Sequence, residues 1–348
     1  MKALALLFVF VPLAAIAHFF HWNPGLIFLF SLLGIIPLAQ VMGKSTEEIA
    51  IRAGAGIGGL LNATFGNATE LIIAFFALKA GLFKVVQASI TGSIIGNILF
   101  VLGLSILLGG IKHPHLRFNR TVAGLNTSLL VLAVLSLLVP AGLAATSPRP
   151  IDGIMPAFSV LVAVLLILVY AASLLFSFKT HSHLYVGEVL PEEKPTMGLP
   201  VTLGLLFGST LLVAVMSELL VGSIEHVIQT FGLSEMFIGV VLVPIVGNAA
   251  EHLTSVTVAL KNKMDLSLGI ALGSATQIAL FVAPVLVLAG ACMGRPLTLH
   301  FDHFEVLAVM AAVLIANFIT LDGESNWLEG LLLVVTYFIL AVAFFFHP

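Results

Sequence analysis

The stretch that decides the fold is Gly66-Asn67-Ala68-Thr69-Glu70, which returns as Gly247-Asn248-Ala249-Ala250-Glu251. Each copy lies inside an apolar segment long enough to cross a bilayer. Each therefore places a carboxylate and an amide at a depth where ionisable groups are costly and usually functional. The offset of 181 residues also pairs Gly92-Ser93 with Gly273-Ser274 without a gap. We interpret this repeat as an internal duplication of the chain.

The composition indicates that this duplicated chain lies in a membrane. Of its 348 residues, 60% are hydrophobic and 9% are charged, whereas soluble domains carry roughly 25% charged residues. The net charge of −3 is too small to indicate a nucleic-acid partner, and the basic residues are scattered. A single cysteine, Cys292, excludes an internal disulfide and a cysteine-rich metal site. The partner that the composition does imply is the lipid bilayer.

The apolar segments predict the architecture. The two repeated phrases lie an odd number of spans apart, so the copies run in opposite directions through the membrane. We predict an all-α polytopic membrane protein with about 11 transmembrane helices, arranged as two inverted five-helix repeats plus an extra N-terminal helix. The predicted division is 1–22 for the extra helix, 23–178 for the first transporter repeat, 179–198 for a polar linker and 199–348 for the second transporter repeat.

The first apolar span has two interpretations. Lys2, an apolar stretch and Ala15-Ile16-Ala17 also fit a secretory signal with a small-residue cleavage site. We favour a retained helix, because the remaining spans form a complete duplication without it.

The basic residues predict the orientation. With the N-terminus inside, ten of the 14 Lys and Arg residues fall on the cytoplasmic side. The positive-inside rule therefore favours a cytoplasmic N-terminus and an external C-terminus. The short chain favours a prokaryotic cytoplasmic membrane.

The repeated phrase carries side chains that could coordinate a cation through oxygen atoms only. Residues three apart share a helix face, so the amide of each copy stands beside its carboxylate. Gly66 and Gly247 make it easier to unwind a turn and free carbonyl oxygens. Hard divalent cations prefer oxygen ligands, and calcium accepts six to eight of them in irregular geometry. The pattern therefore favours a divalent cation such as calcium.

The same carboxylates indicate how such a site could be driven. Burial disfavours an ionised glutamate, whereas a neighbouring divalent cation favours it. Cation binding should then release protons, and protonation should expel the cation. Interhelical hydrogen bonding could explain one such polar stripe, but it explains a matched pair in antiparallel repeats less well. We interpret the chain as an antiporter and not as an enzyme.

These residues resemble the calcium/proton exchangers, often called CAX proteins, of the calcium/cation antiporter superfamily. The similarity rests on the two repeated phrases, on Gly92-Ser93-Ile94-Ile95-Gly96-Asn97 and on Gly273-Ser274-Ala275-Thr276-Gln277-Ile278. The Asn-Ala-Ala-Glu-His form that ends at His252, with the later Ser-x-x-Gln, distinguishes CAX-like sequences from sodium/calcium exchangers.

The resemblance implies a central calcium site and exchange against protons. Calcium is then a transported substrate, and no cofactor is expected. The acidic ligands implied by the resemblance are Glu70 and Glu251, assisted by Asn67 and Asn248.

Further polar residues are candidates for proton coupling or cavity lining. Glu47 and Glu218 occupy comparable places in the two repeats, where the family carries acidic residues, although both could simply be solvated at helix ends. His252 points about 100° away from its neighbour in the chain on an ideal helix, so we expect it behind the site and not as a ligand. The remaining candidates are Ser93, Asn97, Ser255, Ser274 and Gln277.

Other functions stay open. A sodium- or potassium-coupled calcium exchanger, or a manganese/proton exchanger, would use the same scaffold. A cation channel fits less well, because duplicated half-sites with titratable carboxylates suit alternating access. No His-Glu-x-x-His pattern supports an intramembrane hydrolase. The sequence also leaves a homo-oligomer open.

Overall fold

The computed structural model of the chain describes residues 6–147, 151, 153–184 and 195–347. In these residues the protein is helical apart from a ribbon of two short strands, which confirms the predicted helical class. Lys2 and most of the predicted polar linker, residues 185–194, lie outside the described residues.

The helices follow the chain in two groups. The first group is α1 (Phe10–Phe19), α2 (Pro24–Phe65), α3 (Ala68–Ala80), α4 (Phe83–Ile95), α5 (Leu102–Lys112), α6 (Arg120–Thr146) and α7 (Met155–Leu175). The second group is α8 (Leu199–Gly222), α9 (Ile224–Phe231), α10 (Glu235–Phe237), α11 (Val243–Gly247), α12 (Ala249–Ala259), α13 (Met264–Gln277), α14 (Ala283–Cys292), α15 (His303–Thr320) and α16 (Trp327–Phe346).

Short irregular elements join these helices. The π-helical segments are Gly96–Val101 between α4 and α5, Phe176–Thr180 after α7, Ile238–Leu242 between α10 and α11, and Ile278–Val282 between α13 and α14. Strand β1 (Leu116–Arg117) pairs antiparallel with β2 (Glu324–Ser325).

Eight described helices are long and apolar enough to cross a membrane, or nine if Glu235–Gly247 and Ala249–Ala259 form one bent span. The sequence predicted more spans than this. The first predicted span is a shorter apolar helix, Leu7–Phe19. The third is divided at Gly66 and Asn67 between the end of α2 and the 13-residue α3. Apolar length alone does not reveal where a helix breaks.

The chain forms two compact units, and each unit takes segments from both halves. The first comprises Met1–Ser89, Glu188–Ala250 and His347–Pro348. In this unit α2 packs along α8 and against α1, and α3 packs against α8 and α11. Because lipid is as apolar as these helices, close packing and hydrogen bonds hold them together more than hydrophobicity does.

The second unit comprises Ile90–Gly187 and Glu251–Phe346. In it α5 packs on α16, α15 on α6, and α14 on α7. Glycines permit the closest of these contacts: a Cβ on Gly103 would lie 2.7 Å from Leu333 Cβ, and one on Gly330 would overlap the backbone of Leu107. The predicted division at the linker follows the sequence duplication and stays a prediction.

The 181-residue offset also relates features of the backbone. It places the π-helical segment Gly96–Val101 on the one at Ile278–Val282. The same offset relates Asn67 to Asn248, and the chain leaves its helix at both. Because π-helical insertions are frequent at functional sites, these matched irregularities indicate where the site lies in each half.

Candidate functional site

Both repeated phrases interrupt a helix. Asn67 separates α2 from α3 with φ −99° and ψ 21°, and Asn248 separates α11 from α12 with φ −91° and ψ 7°. The second break bends the span by 60°. The interruptions expected at the two glycines are therefore present. Each places its glutamate, Glu70 or Glu251, in the first turn of the following helix, where the backbone N–H groups favour negative charge.

The first unit brings parts of both phrases together around Glu70. Glu70 is 6% exposed, and Asn67 and Asn248 are each 1% exposed. A Cβ on Gly247 would lie 3.1 Å from Glu70 Cγ and 3.3 Å from its Oε1. The carboxyl of the first phrase therefore lies against the glycine of the second, and no larger residue would fit at that glycine without displacing it.

One hydrogen bond orients the amide of Asn248. Its Nδ2 donates to the Pro244 carbonyl oxygen at 3.1 Å. This bond fixes the nitrogen end of the amide on α11, so the oxygen end points away from that carbonyl. An amide oxygen presented in this way is a suitable ligand for a hard cation.

The second unit holds Glu251 by a chain of donors. Asn97 Nδ2 donates to Ser274 Oγ at 3.0 Å, and the Ser274 hydroxyl bonds to the Glu251 carboxyl. Within the described part of the chain, Glu251 Oε2 and Asn97 Oδ1 are buried and accept no hydrogen bond. Buried acceptors of this kind are rare unless something else satisfies them, and a cation would do so.

Two other predicted residues lie on α12, the helix that carries Glu251. Ser255 is fully buried and meets the Ser105 and Ser267 hydroxyls at 3.0 and 2.9 Å. It thus joins α12 to α5 and α13, as interhelical hydrogen bonds do in membranes. The His252 ring contacts the Phe100 ring edge-on, with centroids 6.1 Å apart.

The remaining predicted residues lie at separate places. Ser93 is buried and Gln277 is half-buried. Glu47 and Glu218 are both exposed, and Glu218 lies 3.9 Å from Lys79 in an exposed ion pair. Glu218 is near the end of α8, as one of the two sequence interpretations has it, but Glu47 lies in the middle of α2 because that helix continues to Phe65. Neither exposed carboxylate is part of a buried site.

The sequence reasoning gave little weight to a buried carboxylate next to Glu47. Glu48 is 4% exposed and accepts hydrogen bonds from Thr196, including its backbone N–H at 3.0 Å, and from Arg52 at 3.5 Å. The spacing of Glu48 and Arg52 is that of a helical ion pair, which was the available signal. A second buried acid, Glu305, was also missed, although Asp302 three residues before it marks a capping box.

Residues 24–179 and 201–346 match the family described as sodium/calcium exchanger protein. The chain therefore belongs to the sodium/calcium exchanger protein family.

Individual relatives match almost the whole chain. A Ca2+/H+ antiporter of Aphanothece halophytica is 53% identical over 357 residues, covering 98% of this chain and 96% of the relative. A Ca2+/H+ antiporter of Synechocystis sp. is 50% identical over 366 residues, covering 100% and 98%. The crystal structure of the selenium-substituted Ca2+/H+ antiporter protein YfkE has a TM-score of 0.86 and 39% identity, and all of both chains is covered. These similarities confirm the family resemblance inferred from the motifs.

Proposed function

We propose that this protein is a secondary-active antiporter that exchanges cytosolic calcium for protons by alternating access at a central carboxylate site. Its similarity to Ca2+/H+ antiporters over nearly their whole length supports the exchange. The observation that carries the site is the packing of the Glu70 carboxyl against Gly247. It joins the two phrases that the duplication predicted to act together, and Glu251 follows this glycine by one helical turn in the sequence.

The ligands that we propose are all oxygen atoms. The carboxylates of Glu70 and Glu251 supply two negative charges for one divalent ion, and the side chains of Asn67 and Asn248 supply amide oxygens. Calcium tolerates such an irregular oxygen shell. Asn97 and Ser274 orient the second carboxylate, and His252 packs behind it.

The same two carboxylates couple calcium to protons. A buried carboxylate must be neutralised, either by a bound proton or by a cation close to it. Calcium entry therefore displaces protons, and protons from the other side displace calcium. Because both species use the same oxygens, the two cannot occupy the site together, which is the condition for exchange without leak.

We infer a topology of about 11 membrane helices in two inverted repeats after a separate first helix. In it, α1 and α3 cross or enter the membrane despite their short length. The repeated helix breaks and π-helical segments support the duplication. The basic residues favour a cytoplasmic N-terminus and an external C-terminus, and we place the protein in a prokaryotic cytoplasmic membrane.

The remaining candidates receive smaller roles. Ser93 and Gln277 line the path to the site, and Ser255 ties α12 to its neighbours. A role of Glu47 and Glu218 in proton coupling stays a prediction from the sequence, and their exposed positions weigh against it.

Calcium uptake into proteoliposomes under an imposed pH gradient tests this function. We expect uptake when the lumen is acidic, and none when the pH gradient is collapsed by an ionophore. Calcium uptake that instead follows a sodium or potassium gradient at equal pH would show that this ion, and not the proton, is the coupling ion. A current far above transporter turnover would indicate a channel.

A further inference from the structure

A buried carboxyl at the start of α15 has no place in the proposed calcium site. Glu305 is 2% exposed. Its Oε2 accepts the Asp302 backbone N–H at 3.0 Å, while Asp302 Oδ1 accepts the Phe304 N–H at 2.8 Å. These bonds form a capping box, which satisfies donors at a helix start. A capping box does not require burial of the glutamate, so the cap explains only one of its two oxygens.

The other oxygen faces a hydroxyl on a different helix. Glu305 Oε1 and Thr91 Oγ1 are both buried, and neither has any other hydrogen-bond partner in the described part of the chain. Thr91, on α4, is fully buried and lies beside the Glu305 carboxyl. The charged group that acts on this carboxyl is the Asp302 carboxylate, which has the same sign. No described cation is thus positioned to neutralise Glu305.

This arrangement suits a carboxylic acid that carries a proton. An ionised Glu305 would be a buried anion beside another anion, which is costly. A protonated Glu305 would have an O–H at Oε1, and a hydroxyl oxygen such as Thr91 Oγ1 can accept from it. The Thr91 hydroxyl can equally donate to an ionised carboxylate, so it holds the carboxyl in either state. Burial and the neighbouring Asp302 carboxylate are what favour the proton-bound form.

The helix that carries Thr91 also supports the acid of the second phrase. α4 continues into the π-helical segment Gly96–Val101, and α15 packs against that segment. Asn97 in this segment donates to Ser274, the partner of Glu251. Thr91 and Asn97 are separated along the helix by about 9 Å. Glu305 is therefore close to the elements that hold the second carboxylate, without being one of its hydrogen-bond partners.

We propose that Glu305 is a second proton-binding site, separate from the calcium ligands, that takes up protons from the outer solution. The inference rests on the proposed exchange and on its orientation, in which the start of α15 is on the outer side. A proton from outside binds Oε1, and the Thr91 hydroxyl accepts its hydrogen bond. Glu305 releases this proton when the central carboxylates have lost calcium and must be neutralised.

Two fluxes of the full chain in proteoliposomes separate this role from a structural one. Exchange of labelled for unlabelled calcium at equal pH requires the calcium site but no net proton movement. Uptake driven by a pH gradient requires both. Glu305→Gln keeps an oxygen for the helix cap but cannot take up a proton. We expect it to keep calcium–calcium exchange within about twofold and to lose about tenfold in proton-driven uptake.

Two further variants serve as a control and a second test. Glu329→Gln neutralises another glutamate in the first turn of a helix, whose Oε2 accepts the Ser325 hydroxyl at 2.6 Å, and should change neither flux because this carboxyl is bonded to a different cap. Thr91→Val removes the partner hydroxyl without touching the cap. It should lower proton-driven uptake by about threefold, with calcium–calcium exchange preserved. If Glu305→Gln does not fold, the result for Thr91→Val decides.

Other outcomes overturn the inference. An equal loss of both fluxes in a folded Glu305→Gln protein would make Glu305 a structural residue. Unchanged proton-driven uptake would make it a helix cap only. Calcium–calcium exchange without proton-driven uptake in the wild-type protein would instead reject the proposed function, so the two failures are distinguishable.

Discussion

Glu70 and Glu251 occupy the same place in the repeated phrase, but the protein holds them differently. Glu70 is enclosed and lies against the bare backbone of Gly247. Glu251 is half-buried and depends on a hydrogen bond from Ser274, which Asn97 positions. The two copies of the phrase therefore present carboxylates that share a sequence context but have different surroundings. Packing against Gly247 positions the first, a hydrogen bond from Ser274 positions the second, and each of these contacts can be perturbed separately.

The largest expected effect comes from removing either charge. Glu70→Gln or Glu251→Gln should reduce proton-driven calcium uptake about 100-fold, because loss of one partner of a buried charge pair costs several kcal/mol. Isotope flux in proteoliposomes measures this. Glu225→Gln, at an exposed position on α9, is the matched control and should behave like the wild type. Normal uptake by either site variant would remove that carboxylate from the proposed site.

A smaller effect should follow from filling the space beside Glu70 alone. A Cβ at Gly247 would lie 3.1 Å from Glu70 Cγ, so Gly247→Ala must push that side chain aside. We expect calcium affinity to fall about tenfold, as one displaced charged ligand would cost, and calorimetric titration measures it. At Gly269 a Cβ would meet nothing within 4 Å, and Gly269→Ala should leave the affinity unchanged. Equal affinities of the two variants would contradict positioning by packing.

Ser274→Ala tests the polar support of Glu251. The variant loses one hydrogen bond to the carboxyl, worth about 1 kcal/mol, so calcium should bind about fivefold more weakly. The control is Ser105→Ala, which breaks a hydroxyl pair with Ser255. It should lower the melting temperature while calcium affinity stays the same. If Ser274→Ala lowers the melting temperature without changing calcium affinity, the Ser274 hydroxyl contributes to stability and not to calcium binding.

The smallest effect on calcium uptake is expected at Glu218, which belongs to neither of the two compared carboxylate surroundings. Its partner Lys79 is 3.9 Å away, and the two side chains are 65% and 61% exposed. An exposed pair of this kind contributes about 0 to 1 kcal/mol. Glu218→Gln should therefore change the unfolding free energy little and proton-driven uptake less than about twofold. A large loss of uptake with unchanged stability would restore the role in proton coupling that the sequence suggested.

The sequence was informative where local chemistry decides structure. The glycines of the repeated phrase, which make it easier to unwind a turn, indicated the places where the helices break, at Asn67 and Asn248. The packing of Gly247 on Glu70 could not be read from spacing, because it brings together residues far apart in the chain.

Burial of individual acids was less predictable. Glu47 and Glu48 are neighbours in the chain, yet only Glu48 is buried. Successive residues of a helix point about 100° apart, and Thr196 contacts the helix face that carries Glu48. Glu305 depends in the same way on Thr91 from a distant helix. Contacts between segments that are far apart in the sequence therefore decide which carboxylates are buried.

The claim that calcium and protons compete for the same carboxylates can be measured directly by counting the protons that the purified protein releases as calcium is titrated in. The account predicts release that rises with bound calcium in the wild type and falls in both Glu70→Gln and Glu251→Gln, with calcium affinity weakening as the pH is lowered. Calcium binding without proton release, at an affinity independent of pH, would contradict it.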